Sequence, residues 1–116
     1  MDNRTRIAVD LDGTLTKKAM FPNIWDLTPT ELWKLYEKVE PDNEMIEKVN
    51  QLYSEGNLIY IFTSRTNIHQ RITKKWLDKY KVKYHYILMD KPYYDCIIDD
   101  KAFRPEEVKN GKGICY

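Results

Sequence analysis

"RIAVDLDGTLT", Arg6 to Thr16, carries an apolar run directly into two aspartates, Asp10 and Asp12, separated by one residue. Ile7-Ala8-Val9 fits a short strand buried on both faces. Gly13 follows and lets the chain leave that strand sharply, with Thr14 bracing the turn. Two carboxylates at the end of a core strand repel each other unless a cation sits against them.

The same pattern recurs downstream. "LIYIF", Leu58 to Phe62, is β-rich and ends in Thr63-Ser64-Arg65. "YHYIL", Tyr84 to Leu88, precedes Lys91-Pro92, and "DCIIDD", Asp95 to Asp100, is a further apolar run that ends in acids. Helical segments separate the runs. Thr28, Pro29 and Glu31 make a capping box with proline at the first helical position, ahead of an apolar face of Leu32, Leu35, Tyr36 and Val39. Met45, Ile46, Val49, Leu52 and Tyr53 recur at helical spacing, with Gly56 as the stop. Ile68, Ile72, Trp76 and Tyr80 lie four apart on a third helix, and Pro105 opens a short final one.

Strands alternating with helices predict an α/β fold: a single-domain, Rossmann-like parallel sheet of about four strands with helices on both faces. Ligands in such sheets bind beyond the carboxyl ends of the strands. Asp10, Thr63, Lys91 and the Asp99-Asp100 pair all fall there. Residues 1–108 form the core in this reading, and residues 109–116 a frayed tail.

Composition narrows the function. The 116 residues are 42% hydrophobic and 32% charged, enough for one packed domain. Nineteen basic and 18 acidic residues leave a net charge of +1, which calls for neither nucleic acid nor a membrane surface. Lys74, Lys75, Lys79, Lys81 and Lys83 read as a solvated helix face. Cys96 and Cys115 match no zinc spacing; Cys96 reads as a small buried hydrophobe, and a disulfide framework is not expected. The first residues lack a long apolar stretch, so a cytoplasmic protein is expected.

An all-oxygen cluster without His or Cys suits a hard cation, most of all Mg²⁺. Thr63 and Ser64, with backbone N–H groups at a strand-to-helix turn, suit a phosphate, and Lys91 adds a mobile positive charge. A carboxylate approaching a phosphate dianion at ~4 Å meets ~8 kcal/mol of repulsion at an effective dielectric near 20, which a divalent cation and a lysine offset.

In order and spacing, "DLDGTL", "IYIFTSR" and "DKPYYDCIIDD" resemble the four motifs of the haloacid dehalogenase-like (HAD) phosphohydrolases. That resemblance, covering about residues 5 to 104, implies a Mg²⁺-dependent phosphomonoesterase acting through an aspartyl-phosphate. It makes Asp10 the nucleophile and a metal ligand. Asp12 becomes the general acid and base, with its carbonyl on the metal. Thr63, Ser64 and Lys91 hold the phosphoryl group, Asp100 ligates the metal directly, and Asp99 binds through water or orients ligands. Met89-Asp90 before Lys91 departs from the pattern of small members, which often carry Gly there.

Residues 16–62, less the second helix, leave about 25 residues, too few for a cap domain. A capless site leaves room for a neighbouring subunit. The implied substrate is a small phosphate ester, a sugar phosphate or a nucleotide. A phosphomutase or 5′-nucleotidase of the same superfamily is the alternative within this chemistry. A receiver-like signalling domain or an idle metal-binding domain is the alternative outside it. Several residues stay open between two roles. Arg65 reaches a phosphate or pairs with an acid; Trp25 lies over substrate or merely in a loop; Lys17 and Lys18 touch substrate or water. Trp33 and Phe21 are expected to pack the first helix, His69 to lie at the surface, and His85 to pack rather than ligate.

Overall fold

The computed structural model describes residues 3–18 and 24–111. Strand β1 (Arg6–Asp10) is followed by a 3₁₀ turn (Ile24–Asp26) and helices α1 (Pro29–Lys38) and α2 (Asn43–Ser54). Strand β2 (Leu58–Phe62), a 3₁₀ turn (Asn67–His69), α3 (Gln70–Lys79), β3 (Tyr86–Leu88) and α4 (Pro105–Lys109) complete the chain. The three strands form one parallel sheet in the order β1-β2-β3, with Ala8 beside Tyr60 and Tyr60 beside Tyr86.

Local signals act where expected. Thr28 Oγ1 accepts from Glu31 N–H at 3.2 Å, and the Glu31 carboxylate accepts from Thr28 N–H at 3.1 Å. Asp42 caps α2 by accepting from Met45 N–H at 3.1 Å. Gly56 ends α2 at φ +97°, a conformation that strains any side chain.

The sheet departs from expectation in two ways. First, three strands form among the described residues, and residues 95–100 join no ladder. Every residue from Pro92 to Arg104 is exposed, Ile98 completely so, and Cys96 is exposed rather than buried. Second, the helices share one face. Ile7, Val9, Ile59 and Ile61 pack in a single core with Met45, Val49, Trp76, Leu77 and Val108, drawn from α2, α3 and α4. The alternate residues Ala8, Tyr86 and Leu88 are exposed, and Tyr60 and Phe62 are half-buried. Topology explains this. Two right-handed crossovers stepping the same way, β1 to β2 to β3, put both helices on the same side. Covering the other face takes a crossover in the opposite direction, back past β1, and no such helix occurs among the described residues.

The ends of β3 and α4 also differ. His85 Nδ1 accepts from Ile59 N–H at 3.0 Å, so regular pairing starts at Tyr86, two residues later than predicted. The predicted tail begins at Lys109, which closes α4 and donates to Asp42 Oδ2 at 2.6 Å. Residues 112–116 lie outside the described residues, as do Phe21 and Cys115.

Candidate functional site

The turn after β1 is built around one carbonyl. Leu11 C=O accepts from the N–H groups of Thr14, Leu15 and Thr16 at 3.2, 2.9 and 3.1 Å. Gly13 sits at φ +82°, and its N–H donates to Thr16 Oγ1 at 2.9 Å. Thr16, fully buried, therefore braces this turn in place of Thr14. The turn leaves the Asp10 and Asp12 side chains at the mouth of an open cavity of about 400 Å³.

Lys91 arrives from the other end of the chain. Its N–H donates to Thr63 C=O at 3.0 Å, which fixes the loop after β3 to the end of β2. Its Nζ lies 3.3 Å from Asp10 Oδ1 and about 5 Å from the Phe62 and Tyr94 rings. Burial pushes the Asp10 carboxyl above its ordinary pKa, and nearby Asp12 adds to the rise. The Lys91 charge and hydrogen bond, with Leu11 N–H, offset only part of it. Asp10 is thus a half-exposed carboxylate whose partial burial one lysine does not fully compensate.

Arg65 takes the second of its two predicted roles. Its Nε and Nη2 donate to Asp12 Oδ2 and Oδ1 at 2.9 and 2.6 Å, and Nη1 donates to Thr73 Oγ1 at 3.1 Å. Its guanidinium lies 3.7 Å over the Tyr36 ring. The Arg65 side chain is 1% exposed against 29% for Asp12, so the base of the pair is sealed and the acid faces the cavity. Planar bidentate pairing of this kind holds a carboxylate in one orientation.

Thr63 turns inward. It is buried, and its hydroxyl accepts from Arg65 N–H at 3.1 Å, shaping the turn. Ser64 lines the cavity in its place. Trp25 is 69% exposed and meets Tyr93 edge-on at 5.5 Å, and both rings line the cavity. Tyr36, Pro92, Tyr93 and Tyr94 are lining residues the motif reading missed. Tyr93 and Tyr94 adjoin Lys91 in "KPYYD", and that adjacency is the signal that points to them; nothing in the sequence links Tyr36 to Arg65. His69, predicted at the surface, is buried, with Nε2 2.9 Å from Pro29 C=O. Trp33 stands half-exposed beside it. Asp90 faces solvent at φ +61°, donates its N–H to Arg65 C=O at 2.8 Å and accepts from Asn67 N–H at 3.3 Å.

The predicted metal ligands are only partly assembled. Oxygen donors suit a hard cation. Asp99 and Asp100, however, are exposed and outside the cavity lining, while Arg65 occupies the Asp12 carboxylate and not the backbone carbonyl predicted as the ligand. Among the described residues no three His, Cys, Asp or Glu side chains gather as a metal group. One chain arranged in this way does not complete the donor set that the sequence predicts for Mg²⁺.

A sheet edge bearing an Asp-Lys pair and an Asp-Arg pair over an open cavity defines an α/β protein with a charged site beyond its strand ends. The chain belongs to the same family as an MCSG target from Vibrio cholerae, whose crystal structure matches it at 34% identity and a TM-score of 0.73, over 90% of this chain and 87% of that one. Two chains from Pnkp1/Rnl/Hen1 complexes, one described as an RNA repair complex, share the fold at 18% and 20% identity, with TM-scores of 0.58 and 0.57. The present chain spans 34% and 30% of their lengths. No family model and no curated protein matches the chain. No helix among the described residues is long and apolar enough to cross a membrane.

Proposed function

We propose that this protein is a HAD-like phosphomonoester hydrolase that acts on a small phosphorylated metabolite, a sugar phosphate or a nucleotide, through an aspartyl-phosphate on Asp10. One observation carries the reading. Asp10 and Lys91, 81 residues apart, meet at 3.3 Å beside Asp12, at the mouth of a cavity open enough to admit a phosphate ester.

In the first step an Asp10 oxygen attacks phosphorus and the ester P–O bond breaks. The leaving oxygen takes a proton from Asp12. In the second step water attacks the acyl phosphate, Asp12 receives the proton, and inorganic phosphate leaves with Asp10 restored. Lys91 offsets phosphate charge throughout, and Ser64, which lines the cavity, donates to a phosphate oxygen. As found, both Asp12 oxygens accept from Arg65, so Asp12 must release one of those contacts and take up a proton from solvent before it can deliver one to the leaving oxygen. A hard divalent cation remains part of the proposal.

The test is turnover of p-nitrophenyl phosphate with Mg²⁺, followed by a screen of sugar phosphates and nucleotides. Asp10→Asn is expected to lower kcat on the order of 10³-fold or more while leaving the circular dichroism spectrum unchanged. Full activity in that variant removes Asp10 as nucleophile. EDTA is expected to stop turnover and added Mg²⁺ to restore it.

A further inference from the structure

Two unlike sets of side chains line the cavity at Asp10. The charged ones, Asp10, Asp12, Arg65 and Lys91, belong to the reacting centre. Apart from Ser64, the rest of the described lining is aromatic or apolar, and Trp25, Tyr93 and Tyr94 stand out in it. Trp25 is 69% exposed, Tyr93 56% and Tyr94 44%. Large rings left in water at one place mark a binding surface. Two of these rings are held at a fixed angle. Trp25 meets Tyr93 edge-on with 85° between the ring planes, and the Tyr93 hydroxyl donates to Asp95 Oδ1 at 3.1 Å. Exposed π-faces beside a phosphate site make a platform for a flat ring.

The leaving group that suits this lining is uncharged. Arg65 directs its guanidinium to Asp12 and Thr73, and Lys91 faces Asp10 and the reacting phosphate. Lys17 and Lys18, just after the β1 turn, reach Glu40 and Glu106. Among the described lining residues no cation is left for a second phosphate. A bare sugar suits it poorly as well, because hydroxyls leaving water need hydrogen-bond partners. Beyond Ser64 and the charged groups, the described lining offers only tyrosine hydroxyls, and that of Tyr93 is bonded to Asp95. A nucleobase has no charge at neutral pH, presents a π-face, and keeps its polar edge in water at an open mouth.

We propose that the substrate is a nucleoside monophosphate whose base stacks on Trp25, with Tyr93 bracing the indole. Trp25 is then the specificity-determining residue. The phosphate end of this ligand rests on the phosphatase reading; the stacking does not.

AMP and ribose 5-phosphate differ only at C1 of the ribose, where AMP carries its base, so their ratio of kcat/KM measures what the base contributes. Losing base–aromatic stacking costs roughly 5- to 150-fold, so AMP is expected to be the better substrate by about fivefold or more. Trp25→Ala, at an exposed position that should not disturb folding, is expected to bring the ratio close to one, and Trp25→Phe to keep most of it. ADP, whose leaving group carries a phosphate, is expected to be poorer than AMP by about tenfold or more. A wild-type ratio near one, a ratio untouched by Trp25→Ala, or ADP as good as AMP would each overturn the proposal. Binding is read separately on Asp10→Asn. AMP should quench its tryptophan fluorescence where ribose 5-phosphate does not, and adding Trp25→Phe should abolish the quench. Quenching by AMP without turnover of any phosphate ester by wild type would keep the stacking site and refute the phosphatase. Turnover of sugar phosphates with no quenching by AMP would do the reverse.

Discussion

Three stretches of this chain have similar apolar content, and one of them has the opposite fate to the other two. Ile7-Ala8-Val9 and Ile59 to Ile61 are locked in a sheet, and the polar residues after them interlock: Arg65 alone contacts Asp12, Thr73 and Tyr36. Cys96-Ile97-Ile98 is no less strand-like and ends in the same kind of acid pair, yet it lies in solvent. The difference is not propensity. The first two runs are followed by helices that cross back over the sheet, whereas the third follows Lys91 and Tyr94 with no crossover between. A strand sequence becomes a strand only where the chain can reach an edge in the right direction.

Substitutions can break or sharpen that contrast. The largest effect is expected at Arg65. Arg65→Met leaves Asp12 facing the cavity without its partner and removes the bond to buried Thr73, at a cost of about 3 kcal/mol, measurable as a lower urea midpoint. If stability is unchanged, the interlocked edge is not what holds the site.

Asp42 ties α4 to α2, and its effect should be smaller. Burial opposes its ionisation, but the Lys109 hydrogen bond and the Met45 N–H outweigh this and lower its pKa. A lowered carboxyl pKa stabilises the fold above the unfolded value of ~3.9, and the stabilisation fades as pH falls through the folded value. Asp42→Asn, which still caps the helix, is expected to cost no more than about 1 kcal/mol at pH 7, given solvent screening, and nothing in strong acid. Equal loss at both pH values would show that the charge is not the cause.

Asp10 runs the other way. Its raised pKa means that ionisation costs stability as pH climbs through the ordinary carboxylate value toward the folded one. Asp10→Asn should therefore gain melting temperature on wild type between pH 3 and pH 7. A parallel pair of pH profiles would contradict the burial argument. The smallest effect belongs to the exposed run: Ile98→Ser should change stability by less than about 0.5 kcal/mol. A larger loss would mean that residues 95–100 pack within their own chain.

Much of the site was legible in sequence. Asp10, Asp12 and Lys91 were placed together by topology alone, because parallel strands deliver their carboxyl ends to one edge. The roles of Arg65 and Thr63 were not legible. Whether an arginine meets a substrate or an aspartate depends on what lies under it, here Tyr36 and Thr73 from two different helices. His69 misled because its polar neighbours in sequence face solvent, while its own ring turns onto Pro29.

The sequence by itself determined the three paired strands, their helices and caps, and which charged residues gather at the carboxyl edge. These follow from periodicity, capping chemistry and the handedness of crossovers, all local or near-local forces. Only the tertiary structure decided that both crossover helices lie on one face, that Arg65 clamps Asp12, and that residues 95–100 stand apart from the sheet. Each of these depends on where distant segments end in space.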